Sequence, residues 1–199
     1  MKGVILVVDN ATRSTKKTPF LNKLLQRLSD DNWDTEVITR SSEIDMSVSY
    51  AAAILTGSPM LLTEPLLMDC ISANTTALLQ LKCPILGICF GMQVMVMAYG
   101  GSLERLDTFQ KGKKSIHLEP NSILGAGMKT SCVMEAYEDS VKRIPSGFRV
   151  VGIDKNTHDI KAIEKTDFPY RVGVLFHPED GGSGLCILNN FLNFVYQTM

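Results

Sequence analysis

Short apolar runs alternate with longer amphipathic stretches along the chain. Runs at Val4–Val8, Glu36–Thr39, Ala53–Thr56, Ile85–Ile88, Val150–Ile153, Ile160–Ile163 and Val172–Phe176 have the length and apolar character of strands. Between them, apolar residues recur at helical spacing. Pro19–Ser29 carries Phe20, Leu21, Leu24, Leu25 and Leu28, and Pro65–Leu81 is similar. A helix over Phe90–Tyr99 is stopped by Gly100-Gly101, and Gly184–Gln197 closes the chain with Leu185, Leu188, Phe191, Leu192 and Val195. Residues 102–135 break the rhythm with polar segments and turn residues (Gly112, Pro120-Asn121, Gly125, Gly127), which predicts a small β-rich excursion. The alternation predicts an α/β fold: three layers, a mostly parallel central sheet and helices on both faces. No linker or repeat interrupts it, so residues 1–199 are expected to form a single domain.

Composition narrows the partners. The chain is 45% hydrophobic and 21% charged with a net charge of −1, which gives no reason to expect nucleic acid or an anionic membrane. Lys111, Lys113 and Lys114 are the densest basic group, expected in a solvated loop. The apolar run after Lys2 is too short for a signal peptide, and the long apolar stretch at 84–101 is broken by glycines and Gln93, so no membrane span is expected. The five cysteines form no C-x-x-C pair, which fits a reducing, cytoplasmic compartment. His117, His158 and His177 show no metal-ligand spacing with them, and no metal or cofactor is expected.

One window carries unusual chemistry: Pro84-Ile85-Leu86-Gly87-Ile88-Cys89-Phe90-Gly91-Met92-Gln93. Glycines two residues either side of Cys89 permit a sharp strand-to-helix turn of the nucleophile-elbow kind. Such a turn lifts a side chain above the carboxyl edge of a sheet and sets it at a helix N-terminus, which favours thiolate. A buried cysteine beside packing glycines is the plainer alternative. A thiol nucleophile needs a base and an orienting group. Val172–Phe176 ends in His177, and Glu179 lies two residues on, so alternation in an extended segment puts both on one side. A third window, Ala53-Ile54-Leu55-Thr56-Gly57-Ser58-Pro59, runs a strand into a turn that can aim backbone N–H groups at a developing oxyanion.

These windows, in this order, resemble the class I (triad-type) glutamine amidotransferases, and most of all the glutaminase domain or subunit of GMP synthetase, an enzyme of purine biosynthesis. GICFGMQ followed by AYGG resembles the nucleophile motif, FHPE the His–Glu motif, RIPSGFRVVGID the stretch after the substrate-contacting loop, and LNNFLNF the closing helix. The resemblance implies a glutaminase that hydrolyses L-glutamine to glutamate and ammonia. Cys89 would attack the side-chain amide, His177 would activate it and protonate the leaving ammonia, and Glu179 would orient His177. The backbone N–H groups of Gly57 and Phe90 would form the oxyanion hole, with Gln93, Ser58, Ala136 and Tyr137 against the substrate. Ammonia would pass to a separate synthetase subunit, since no pyrophosphatase loop or Walker motif occurs in the 199 residues.

The chain departs from the family in three places. Gly57-Ser58-Pro59 stands for Gly-Gly-Pro, Leu175 for a glutamine, and Ala136-Tyr137-Glu138-Asp139 for a Ser-His-x-Asp loop. Two alternatives follow from these changes: a stand-alone hydrolase of γ-glutamyl amides or peptides, and a non-catalytic regulatory subunit of the same fold.

Overall fold

The computed structural model describes residues 2–10, 19–63, 68–165 and 167–199. In chain order the elements are β1 (Val4–Val8), α1 (Pro19–Asp30), β2 (Asp34–Ile38), β3 (Ala52–Leu55), α2 (Met68–Gln80), β4 (Ile85–Ile88), α3 (Phe90–Ala98), β5 (Ser102–Leu118), β6 (Thr130–Arg143), β7 (Phe148–Asp154), β8 (Ile160–Lys165), β9 (Arg171–Val174) and α4 (Ser183–Thr198). They build one nine-stranded sheet in the order β2-β1-β3-β4-β9-β8-β7-β5-β6. From β2 to β9 the strands are parallel. From β9 to β6 they are antiparallel.

Burial explains why the parallel half was legible. β3, β4 and β9 are buried along their whole length and β1 nearly so, and a strand covered on both faces reads as an unbroken apolar run. β2 is an edge strand with mostly exposed residues, so its polar start at Asp34 lay outside the apolar run expected at 36–39. The crossovers β1-α1-β2 and β3-α2-β4 run in opposite directions along the sheet. Right-handed crossovers therefore put α1 and α2 on opposite faces. The α4 helix joins α1, where Arg27 Nη2 donates to Asn189 Oδ1 at 2.9 Å. The α3 helix joins α2, where Tyr99 at its end donates to the Leu78 carbonyl at 2.9 Å. The expected helix over Pro65–Leu81 appears as α2; its first three residues lie outside the described residues.

The excursion is larger than expected and belongs to the sheet. β5 and β6 form a long antiparallel ribbon that reaches Arg143, and β5 touches β7 only through Ile116–Leu118. Lys111, Lys113 and Lys114 are strand residues of this ribbon, not loop residues. Beyond the β7 contact the ribbon leaves the sheet and arches over its carboxyl edge. There Met134 of β6 forms an isolated bridge with His177, just past β9.

At the opposite edge the buried Arg171 guanidinium ties the start of β9 to the end of α2. It donates to the carbonyls of Leu78 (2.9 Å), Leu81 (2.6 Å), Cys83 (2.9 Å) and Tyr170 (3.0 Å), and to the Tyr99 hydroxyl (3.1 Å). The positive charge also faces the negative end of the α2 dipole. Arg171→Met should strand several buried carbonyls at about 1–3 kcal/mol each. Urea unfolding should therefore show a stability loss of at least about 3 kcal/mol with an unchanged m-value; a loss under about 1 kcal/mol would mean that water replaces the guanidinium.

Candidate active site

The join between β4 and α3 is strained. Cys89 caps α3 with φ 50° and ψ −104°, left-handed territory that costs a non-glycine residue on the order of 1–3 kcal/mol. Neighbouring glycines make the turn possible. A Cβ on Gly91 would lie 2.3 Å from the Leu55 carbonyl oxygen, and one on Gly87 would lie 2.7 Å from the Gly91 carbonyl carbon. The Cys89 N–H donates to the Val174 carbonyl at 2.7 Å, which locks the turn to β9. The thiol is buried, with its Sγ 3.7 Å from the Ala136 carbonyl oxygen.

Across the carboxyl edge, β9 delivers His177 next to this thiol. A 3-10 turn over Pro178–Asp180 folds Glu179 back, so that Glu179 Oε1 lies 2.9 Å from His177 Nδ1. The pair meets through this turn, not through the extended alternation expected from sequence. The remaining imidazole nitrogen is the one left for the Cys89 sulfur. Phe20 of α1 stacks on the ring with centroids 4.1 Å apart and planes 14° from parallel. The His177 N–H donates to the Met134 carbonyl at 2.8 Å. Burial works against the imidazolium, but the hydrogen bonds and charges of Cys89 and Glu179 outweigh it and raise the His177 pKa to about 10. The site therefore favours an imidazolium beside the sulfur.

Gly57 sits against both groups. A Cβ there would lie 2.8 Å from His177 Cε1 and 3.6 Å from Cys89 Cβ. Ser58 turns the loop, its Oγ accepting the Met60 N–H at 3.1 Å. Phe90 opens α3, where the first N–H groups of a helix have no intrahelical acceptor. Gln93 lines the cavity, but its Nε2 donates to the Asp139 carbonyl at 2.7 Å. The buried Asp139 carboxylate accepts from the Thr63 N–H (3.1 Å) and hydroxyl (2.6 Å). Ala136 meets Cys89 through its backbone oxygen. The Tyr137 ring forms part of the wall, and its hydroxyl accepts from the buried Lys161, which pairs with Glu135 at 2.9 Å. Burial pushes the Tyr137 hydroxyl and the Glu135 carboxyl up, the latter opposed by the Lys161 ammonium.

All the sequence-predicted site residues thus border one cavity of about 400 Å³, except Phe90, which follows Cys89 as the first residue of α3 and is not part of the lining. Sequence reasoning missed Phe20, Thr63, Glu135 and Lys161. Phe20 belongs to an ordinary apolar stripe. Lys161 and Glu135 sit in strands far apart in sequence, and nothing local signals their pairing.

Residues 17–193 match the family described as glutamine amidotransferase class-I, and the chain belongs to that family. The glutamine-hydrolyzing GMP synthase of Brachyspira hyodysenteriae is 32% identical over 178 residues, covering 87% of this chain and 34% of that protein. The glutamine-hydrolyzing GMP synthase of Acetivibrio thermocellus is 34% identical over 177 residues, covering 86% of this chain and 34% of that protein. The chain thus spans about a third of the length of these curated relatives. Among solved structures, a Thermoplasma acidophilum protein assigned as a GMP synthase subunit superimposes with a TM-score of 0.80 at 23% identity, covering 98% of this chain and 94% of that one. A glutamine amidotransferase from Thermotoga maritima gives 0.70 at 16% identity, covering 100% and 86%. These superpositions establish the shared α/β fold. Among the described residues no helix is long and apolar enough to cross a membrane.

The His177 imidazole, followed by NMR, should titrate near pH 10, against an ordinary value of 6.5. The raised value means the folded state holds this proton more tightly than the unfolded chain does. Its contribution to stability is complete below pH 6.5 and fades as pH rises towards 10. Cys89→Ala removes the largest raising influence and leaves the burial, so the His177 pKa should fall. An unchanged pKa in that variant would disprove the thiol–imidazole coupling.

Proposed function

We propose that the chain is a glutaminase, with Cys89, His177 and Glu179 as its triad and residues 1–199 as one catalytic unit. The observation that carries this is the strained elbow that holds Cys89 beside an imidazole oriented by Glu179 at 2.9 Å. With its proton held on His177, the Cys89 sulfur attacks the side-chain carbonyl carbon of L-glutamine, and the carbonyl oxygen takes up negative charge. The N–H groups of Gly57 and Phe90 stabilise that oxyanion. As the intermediate collapses, His177 gives its proton to the amide nitrogen, the C–N bond breaks and ammonia leaves, with a γ-glutamyl thioester on Cys89. Water then attacks the thioester, His177 takes its proton, the C–S bond breaks and glutamate leaves, which restores the sulfur beside a protonated His177.

Ser58 and Tyr137 wall the glutamine site, the Ala136 backbone orients the thiol, and Gln93 acts by fixing the Asp139 backbone. The ammonia acceptor is a synthetase partner of the GMP synthase type, which the sequence likeness of the relatives supports. This reading carries a place in purine biosynthesis and in the cytoplasm.

Ammonia and glutamate release from L-glutamine should be abolished by Cys89→Ala and cut at least tenfold, on the order expected for the loss of an orienting carboxylate, by Glu179→Gln. Because His177 must be protonated to release ammonia, kcat/KM should fall as pH approaches 10. Glu179→Gln should move that alkaline limb to lower pH. Neither turnover nor selective alkylation of Cys89, with or without a synthetase partner, would leave a non-catalytic subunit.

One observation favours a second substrate class. Phe20, Leu21, Leu24, Met60, Leu61 and Phe109 give the cavity a broad apolar wall. A γ-glutamyl amide of an apolar amine has somewhere to place its leaving group there. Faster turnover of γ-glutamyl-p-nitroanilide than of free glutamine would favour that hydrolase reading over the amidotransferase one.

A further inference from the structure

A buried amide cluster lies behind the Gly57 turn, and the triad chemistry does not use it. Asn10, Asn74 and Thr56 are all buried, at 4%, 0% and 6% exposure. Asn10 Nδ2 donates to the Thr56 carbonyl at 2.8 Å and to Asn74 Oδ1 at 3.0 Å, and Asn10 Oδ1 accepts from Asn74 Nδ2 at 2.7 Å. The Asn10 backbone N–H donates to the Thr56 hydroxyl at 2.9 Å. The Asn10 carboxamide therefore cannot rotate without breaking three bonds in a buried space.

These bonds act on one particular peptide. The β1–β3 register ends at Val8 and Leu55, and the last rung runs from the Thr56 N–H to the Val8 carbonyl at 3.1 Å. Past that rung, among the described residues, no strand partner sets the plane of the Thr56–Gly57 peptide. A peptide is planar, with C=O and N–H pointing in opposite directions. Holding the Thr56 oxygen on Asn10 therefore fixes where the Gly57 N–H points. Among the described residues none accepts from that N–H. Gly57 itself lies against His177 and Cys89.

We infer that Asn10, braced by Asn74, is a positioning residue that pins the Thr56 carbonyl and so aims the Gly57 N–H at the oxyanion of the reaction. The inference rests on the glutaminase reading above. It assigns to a polar residue at the end of β1, far from Cys89 in sequence, a share of transition-state stabilisation.

Asn10→Ala and Asn74→Ala are compared with the wild type in four measurements: kcat, KM for L-glutamine, the rate of Cys89 alkylation by iodoacetamide, and Tm. Alkylation displaces iodide at a saturated carbon and forms no oxyanion, so it reports on thiol and imidazole alone. Asn10→Ala should lower kcat by about tenfold to a hundredfold, towards the loss of a whole oxyanion donor, with KM and alkylation within about threefold of wild type. Asn74→Ala should lower kcat in the same direction but less, because Asn10 still reaches Thr56. A folded Asn10→Ala with wild-type kcat overturns the inference and leaves the glutaminase reading intact. So does a fall in alkylation that matches the fall in kcat, which would make the cluster a general support of the site. If Asn10→Ala does not fold, an unchanged kcat in Asn74→Ala overturns it instead. A wild type that releases no ammonia overturns both readings, since no oxyanion would form.

Discussion

The site depends on how closely α3 approaches the sheet. Gly91 brings the first turn of α3 so near to β3 that a single methyl would lie 2.3 Å from the Leu55 carbonyl oxygen. Gly87 makes the matching allowance on β4. With both positions bare, the chain reverses direction within one residue, and that residue is Cys89. The positive φ is the consequence of this packing, and strain of on the order of 1–3 kcal/mol is tolerated because the flanking strand and helix leave no alternative path. The same approach brings the thiol to the carboxyl edge, where Gly57 and His177 already meet.

The antiparallel half of the sheet supplies the other wall. If β5 and β6 had stayed flat beyond β7, the carboxyl edge would be open to water. Instead the ribbon arches over it, and its backbone contacts the site at Met134, Ala136 and Asp139. Exclusion of water matters most for the charges. Burial works against a charged His177, and the hydrogen bonds and charges of Cys89 and Glu179 outweigh it. Electrostatic interactions strengthen in such low-dielectric surroundings. The elbow, the His–Glu turn and the covering ribbon are therefore one electrostatic unit, although they come from three separate stretches of chain.

Legibility followed burial and locality. The strands β3, β4 and β9 were visible because both of their faces are covered, and the Cys89 elbow because its glycines lie two residues away. His177 and Glu179 meet by a geometry other than the one expected: the pattern suggested alternation, whereas Pro178 starts a 3-10 turn that brings them to 2.9 Å. Features that depend on long-range pairing left no local trace. Lys161 and Glu135 are charged residues in strands, indistinguishable in sequence from solvent-facing ones, yet they are 2% and 0% exposed. Arg171 likewise reads as a polar strand start and is a buried clamp on the end of α2. Asn10 follows an apolar strand as any turn residue would, and only the three-dimensional meeting with Thr56 and Asn74 sets it apart.

Residues 136–139, read from sequence as a loop, lie within β6, and the departures there become intelligible on the same grounds. Positions 136 and 139 meet the elbow through backbone oxygens, one near the Cys89 sulfur and one accepting from Gln93. A backbone contact does not depend on the side chain that follows it, so alanine at 136 leaves this geometry in place. At 137 the tyrosine is held by Lys161, and that buried ammonium is in turn balanced by Glu135, so the three residues form an interdependent group. Removing one of them would leave a charge or hydroxyl without its partner in the interior. At Asp139 the side chain carries structure as well as the backbone, because the carboxylate holds the end of the Gly57–Thr63 loop. This stretch of β6 has thus changed where its backbone makes the contact or a buried group absorbs the change. It retains Asp139, whose carboxylate ties the covering ribbon to the loop beside the thiol.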